Sequence, residues 1–125
     1  MNVLDASVLI AYLDPDDAHH SDAEAVIAGD LDAEWGINPL TLAEVLTGPV
    51  GAGRDRQVLD AIEGLGIHEL PFPPDTALHL AGLRSTTQLK MPDCCVLLAA
   101  ETVGGHVISF DDRLRTEAAA RGLAL

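Results

Sequence analysis

The stretch Asn2–Leu13, NVLDASVLIAYL, decides how the rest of the chain is read. Val3-Leu4 is a short apolar run ending in Asp5, and after Ala6-Ser7 a second apolar run continues from Val8 to Leu13. A buried strand passing directly into a helix has this pattern. It places Asp5 at the carboxyl end of a strand, where open parallel sheets keep their ligand crevice, and Ser7 at the helix N-cap. Two readings of Asp5 stand: a capping acid beside Ser7, or the first ligand of a cation. Taken alone, capping is the simpler.

Composition limits what surrounds this stretch. With 125 residues, 48% of them hydrophobic and 3% aromatic, the expectation is one domain, residues 1–125, with an aliphatic core. Asp5 and Asp14 bracket too few apolar residues for an export signal or a membrane span, so a cytosolic, non-membrane protein is expected. Cys94 and Cys95 are adjacent within a helical pattern; they read as small buried residues rather than a disulfide framework. The formal charge of −13, from 20 acids and 7 bases, argues against holding nucleic acid by bulk electrostatics. It leaves three explanations: a solubilising surface, a basic partner, or acids converging on metal ions.

From the front outward, Asp14-Pro15-Asp16-Asp17 is a turn, and a helix is expected from about Ala18 to Ala28, stopped by Gly29. His19 and His20 open it, but adjacent helical positions diverge, so solvent-facing residues are expected rather than a metal pair. Glu34–Ile37 reads as a strand. Asn38 and Pro39 start a helix that PLTLAEVLTG carries to Gly48, and Gly48–Gly53 reads as a loop. Glu44 is the single charged residue of that short apolar helix. It sits on the solvent edge or, if the helix is buried on most sides, is a carboxylate needing a partner or cation. An amphipathic helix over Arg54–Leu65, a strand over Ile67–Leu70 with His68 facing solvent, and a helix from Asp75 to about Thr87, with His79 structural, continue the alternation. Alternating strands and helices predict a parallel sheet covered on both faces.

Two later stretches carry acids. In KMPDCCVLLAAE, Lys90–Glu101, Pro92 begins a central buried helix and Asp93 falls in its first turn. Asp93 either complements the helix dipole, worth about 0.3–1 kcal/mol, or points to the strand ends beside Asp5. In HVISFDD, His106–Asp112, Val107-Ile108 is a strand and Asp111-Asp112 lie just past its carboxyl end, one to cap the last helix and one to serve the site. That helix runs to Arg121 and stops at Gly122. The apolar tail Leu123–Leu125 is then available as an edge strand.

This topology would bring Asp5, Glu44, Asp93 and Asp111 to one edge. Hard oxygen ligands in that number suit magnesium or manganese, and no Cys/His set has zinc spacing. Without a cation such carboxylates raise one another's pKa. Ions held about 3.5–4 Å apart by carboxylates can activate water and stabilise an in-line phosphoryl displacement.

These residues resemble the PIN-domain ribonucleases and, among them, the VapC toxins of bacterial toxin–antitoxin pairs. The resemblance rests on VLDASVLIAYL, on TLAEVL around Glu44, on MPDCCVLLAAE around Asp93 and on SFDDRL near the end. It implies a PIN-like three-layer α/β/α fold with a central parallel sheet of four or five strands. It also implies an acidic quartet, Asp5, Glu44, Asp93 and Asp111, that holds Mg2+, with Mn2+ as a substitute. Ser7 would support Asp5, Ser109 stands where the family usually has threonine, and Asp112 contests the position of Asp111. Leu114 stands where the family often has phenylalanine, a packing change expected to be silent. Cys94 and Cys95 replace more usual aliphatic or small residues and would add oxidation sensitivity near the metals.

The activity implied is metal-assisted hydrolysis of structured RNA such as tRNA or rRNA, leaving a 5′-phosphate and a 3′-hydroxyl. Lys90, Arg113 and Arg115 are the bases nearest the quartet, to contact RNA or to form surface ion pairs. A VapB-like antitoxin and homodimerisation are further family expectations. Two alternatives remain. A haloacid-dehalogenase-like phosphatase would use Asp5, Lys90 and Asp111-Asp112, but has Ser7 where its second acid belongs. The other is a PIN-like module that binds without catalysis.

Overall fold

The strands are short, three residues each, and β1, Asn2–Leu4, is buried along its length as an inner strand of the sheet. The computed structural model describes residues 1–30 and 32–125. After β1 come α1 (Ala6–Leu13), α2 (His20–Ala28), β2 (Trp35–Ile37), α3 (Pro39–Gly51) and α4 (Asp55–Gly64). The second half holds β3 (Ile67–Glu69), α5 (Thr76–Thr87), α6 (Met91–Val103), β4 (His106–Ile108) and α7 (Asp112–Ala120). All pairings are parallel, in the order β3-β2-β1-β4, with Asn2 opposite Trp35 on one side and His106 on the other. Every crossover contains a helix, as parallel pairing requires.

Alternation along the strands builds two cores. Leu4, Trp35, Ile37 and Ile67 pack with α1 to α4 on one face, whereas Val3 and Val107 pack with α5 to α7 on the other. Gly36, between Trp35 and Ile37, faces the second layer, where a Cβ would stand 2.6 Å from Leu70 Cδ1. In α6 seven consecutive residues, Cys94 to Ala100, are buried, so this helix is enclosed on all sides. The expected three-layer α/β/α architecture is thus present, with four strands.

Several boundaries differ from expectation. The helix expected from Ala18 begins at His20. The segment read as a loop, Gly48–Gly53, is helical to Gly51. Pro49 deprives that helix of a single donor, and Ala52 N–H still reaches the Gly48 carbonyl at 3.1 Å, so the turn continues. The tail Leu123–Leu125 forms no strand; Val107 N–H donates to the Leu123 carbonyl at 2.7 Å and the ladder goes no further. Among the described residues, no helix is long and apolar enough to cross a membrane.

Candidate active site

The carboxyl ends of β1 and β4 are locked together by the main chain, since Asp5 N–H donates to the Ile108 carbonyl at 3.0 Å. Asp5 is therefore held at the sheet edge by the backbone before any side chain is considered. Its carboxylate is buried, and Oδ2 accepts from two hydroxyls, Ser7 Oγ at 2.8 Å and Ser109 Oγ at 2.7 Å. Each serine is itself fixed by a main-chain N–H of the β4–α7 junction. Ser7 Oγ accepts from Phe110 N–H at 3.2 Å, and Ser109 Oγ accepts from Asp111 N–H at 2.9 Å. This interlocked pair of junctions leaves Oδ1 of Asp5 with no hydrogen-bond donor among the described residues.

The expected cap at Ser7 is corrected here. Helix α1 starts at Ala6, so Asp5 occupies the N-cap position, although its side chain caps nothing, and the Ser7 hydroxyl turns back to Asp5 instead. A hydroxyl beside a buried carboxylate gains more from that charge than from a helical N–H.

The other acids arrive from three further elements. Asp93, in the first turn of α6, is half-buried, and its carboxyl is pushed up to about 6. Burial is the main cause, followed by the charges of Asp5, Asp111 and Glu44, with Lys90 opposing them. Glu44 on α3 is also raised, first by partial desolvation and then by Asp5. Its expected enclosure is not found: α3 buries only the stripe Thr41, Leu42 and Val45, and Glu44 keeps contact with water. Asp111 is the N-cap of α7, and its Oδ1 accepts from Leu114 N–H at 2.9 Å, leaving Oδ2 for other partners. Asp112 has 96% of its side chain exposed and its nearest cation is Arg115 at 3.9 Å, which sets it apart from the cluster.

Four carboxylates from four elements thus share one electrostatic environment. Among the described residues, no three acidic, histidine or cysteine side chains close tightly enough to grip a bare ion. The two observations are compatible, because coupling between charges extends further than a coordination bond. An open cluster of hard oxygens fits magnesium, which keeps several waters and takes only one or two carboxylates directly.

The surrounding bases are sparse. Lys90 is the N-cap residue of α6 and influences Asp93, while Arg113 and Arg115 are exposed on α7. Arg84 is occupied by the carbonyls of Gln88 and Leu89, each at 2.7 Å. Cys94 and Cys95 are buried free thiols, and burial pushes both up, Cys95 to about 11. The expectation of oxidation sensitivity is therefore corrected, because attack needs an exposed thiolate. His19 is exposed, as expected, whereas His20 is half-buried between the Ala11 carbonyl and Glu24.

One residue had no place in the sequence reading. Phe110, between Ser109 and Asp111, packs partly against the α1–α4 core, and its ring meets that of His19 at a centroid distance of 5.3 Å. The sequence signal was its rarity, as one of only two phenylalanines, and its position between two residues of the site.

The sequence matches the family described as PIN domain over residues 3–119, and the chain belongs to that family. No curated protein matches it. Among solved structures, it is similar to a chain described as "Toxin-antitoxin complex from Klebsiella pneumoniae". The TM-score is 0.74 at 19% identity, with 89% of this chain and 87% of that chain covered. At that identity the likeness is one of fold. Family membership sets aside the phosphatase alternative, whose required second acid is Ser7 here.

Proposed function

We propose that the chain is a single PIN nuclease domain acting as a Mg2+-dependent endoribonuclease, with Mn2+ as a substitute, and as the toxin of a toxin–antitoxin pair of the VapBC kind. The observation that carries this reading is that Asp93, raised first by burial, is raised further by the charges of Asp5, Asp111 and Glu44, so acids from four elements act on one another. Membership in the PIN domain family and the description of the structural neighbour as a toxin–antitoxin complex support it. Asp5, Asp93 and Asp111 would hold the metal directly or through water, with Glu44 at the exposed side. When bound, the metal supplies charge neutralisation and an activated water for in-line hydrolysis of a phosphodiester.

The chain's own residues do the positioning. Ser7 and Ser109 fix one oxygen of Asp5, and the other would be left to the metal. Without a cation Asp93 is pushed up to about 6, by burial first and then by Asp5, Asp111 and Glu44, so a bound metal would relieve a repulsion already present. Lys90, Arg113 and Arg115 would contact the RNA backbone at the rim. A chain of net charge −13 suits a basic antitoxin, whose cationic side chain would enter the acidic cluster. Cytoplasmic action on tRNA or rRNA, and a homodimer, complete the reading.

Cleavage of labelled RNA with Mg2+ or Mn2+ tests it. The wild type should cleave and Asp93→Asn should lose at least about a hundredfold in rate. RNA left intact by the wild type in both metals would overturn the nuclease assignment.

A further inference from the structure

We propose that Phe110, backed by His19, is a stacking platform for one unpaired base of single-stranded RNA, beside the acidic cluster. The proposal rests on the nuclease reading above and adds to it where the substrate strand is gripped.

Phe110 lies between Ser109, which holds Asp5, and Asp111. Its N–H donates to Ser7 Oγ, the other hydroxyl on Asp5. Its backbone is therefore tied to the same network that positions the carboxylates. The ring is only partly buried and is tilted by 31° against the His19 imidazole. His19 comes from the N-terminal end of α2, so two distant segments meet to form one aromatic surface.

Phe110 also lines a groove of about 710 Å³ along β4 and α7, whose polar rim includes Ser109, Asp112 and Arg115. Arg115 is 64% exposed and only loosely paired with Asp112, so its guanidinium is available to a phosphate. An aromatic ring and a cation bordering one groove, with the ring adjoining Asp111 in the chain, match what single-stranded RNA presents: a base face and a phosphate leading to a scissile bond. A protein of net charge −13 gains little from general attraction to RNA, so local stacking has to contribute the affinity that lysines supply elsewhere.

The test is binding of fluorescent oligouridylate and of an RNA duplex to protein carrying Asp93→Asn, with Mn2+ present so that RNA is bound rather than consumed. Adding Phe110→Leu, which keeps the apolar packing, should weaken oligouridylate binding roughly tenfold and leave duplex binding unchanged. Phe110→Trp should restore it, with RNA quenching the added indole; the native Trp35 is buried and serves as background. Should Phe110→Leu fail to fold, quenching in Phe110→Trp carries the test alone. Unchanged oligouridylate affinity in Phe110→Leu, an equal loss for both RNAs, or an unquenched indole overturns the platform. If the wild type cleaves RNA in such a case, the nuclease reading survives; if it neither binds nor cleaves, both fall.

Discussion

Ser109 and Asp5, 104 positions apart in the chain, are joined by a hydroxyl–carboxylate hydrogen bond of 2.7 Å. The bond joins two adjacent parallel strands where each passes into its helix, and makes the orientation of Asp5 depend on β4. Ser109→Ala should therefore weaken Mn2+ binding by about tenfold, as loss of an outer-shell partner does, and Ser109→Thr should restore it. Calorimetric titration with Mn2+ reads this directly; equal affinities in all three proteins would show that Ser7 holds Asp5 unaided.

Asp93 gives a pH signature. Its folded-state carboxyl titrates at about 6, above the usual 3.8, so the native state binds more protons than the unfolded state between those values. Metal-free protein should then lose stability as pH rises from about 4 to about 6. The loss is on the order of 1 kcal/mol once solvent screening of this half-buried group is allowed for. Melting temperatures across that range should show the fall in the wild type, a flatter profile in Asp93→Asn, and its reversal by Mn2+.

The strand geometry was legible in the sequence because the apolar runs are short and several lead into an acid or a cap residue. Asp5, Asn38 and Asp111 all occupy strand-to-helix junctions, where local pattern dictates position. Glu44 is raised by Asp5, but the burial expected of it is absent. Its apolar neighbours bury one stripe of α3 and leave the carboxylate at the surface, a distinction that depends on how α3 packs on the sheet. The Ser7 hydroxyl was misplaced because a helix start read two residues late exchanges a cap for a side-chain ligand. The His19–Phe110 contact was illegible, since neither residue carries a local cue to the other.

Two glycines separate soft from hard crowding. At Gly36 the added Cβ meets the flexible end of Leu70, whereas at Gly105 it meets the Met1 carbonyl oxygen at 2.4 Å, and that oxygen already accepts from His106 N–H. Gly36→Ala should cost about 1–2 kcal/mol and Gly105→Ala more than about 3 kcal/mol. Urea denaturation of both variants would test the ranking, and a reversal would mean that the β1–β4 edge yields more easily than the Leu70 side chain.

Thiol chemistry tests the enclosure of α6. With Cys95 near 11 and both thiols buried, native protein at pH 8 should resist maleimide labelling over hours and take up two labels once denatured. Rapid labelling of either thiol in the native state would show that α6 opens without global unfolding.

The placement of β1 between β2 and β4 also governs when the acidic cluster can come into existence. β1 is synthesised well before β4, its neighbour on one side, which lies far later in the chain. Until then Asp5 lacks the Ile108 carbonyl, the Ser109 hydroxyl and Asp111. An incomplete chain therefore lacks the assembled acidic cluster, which forms only when β4 docks beside β1.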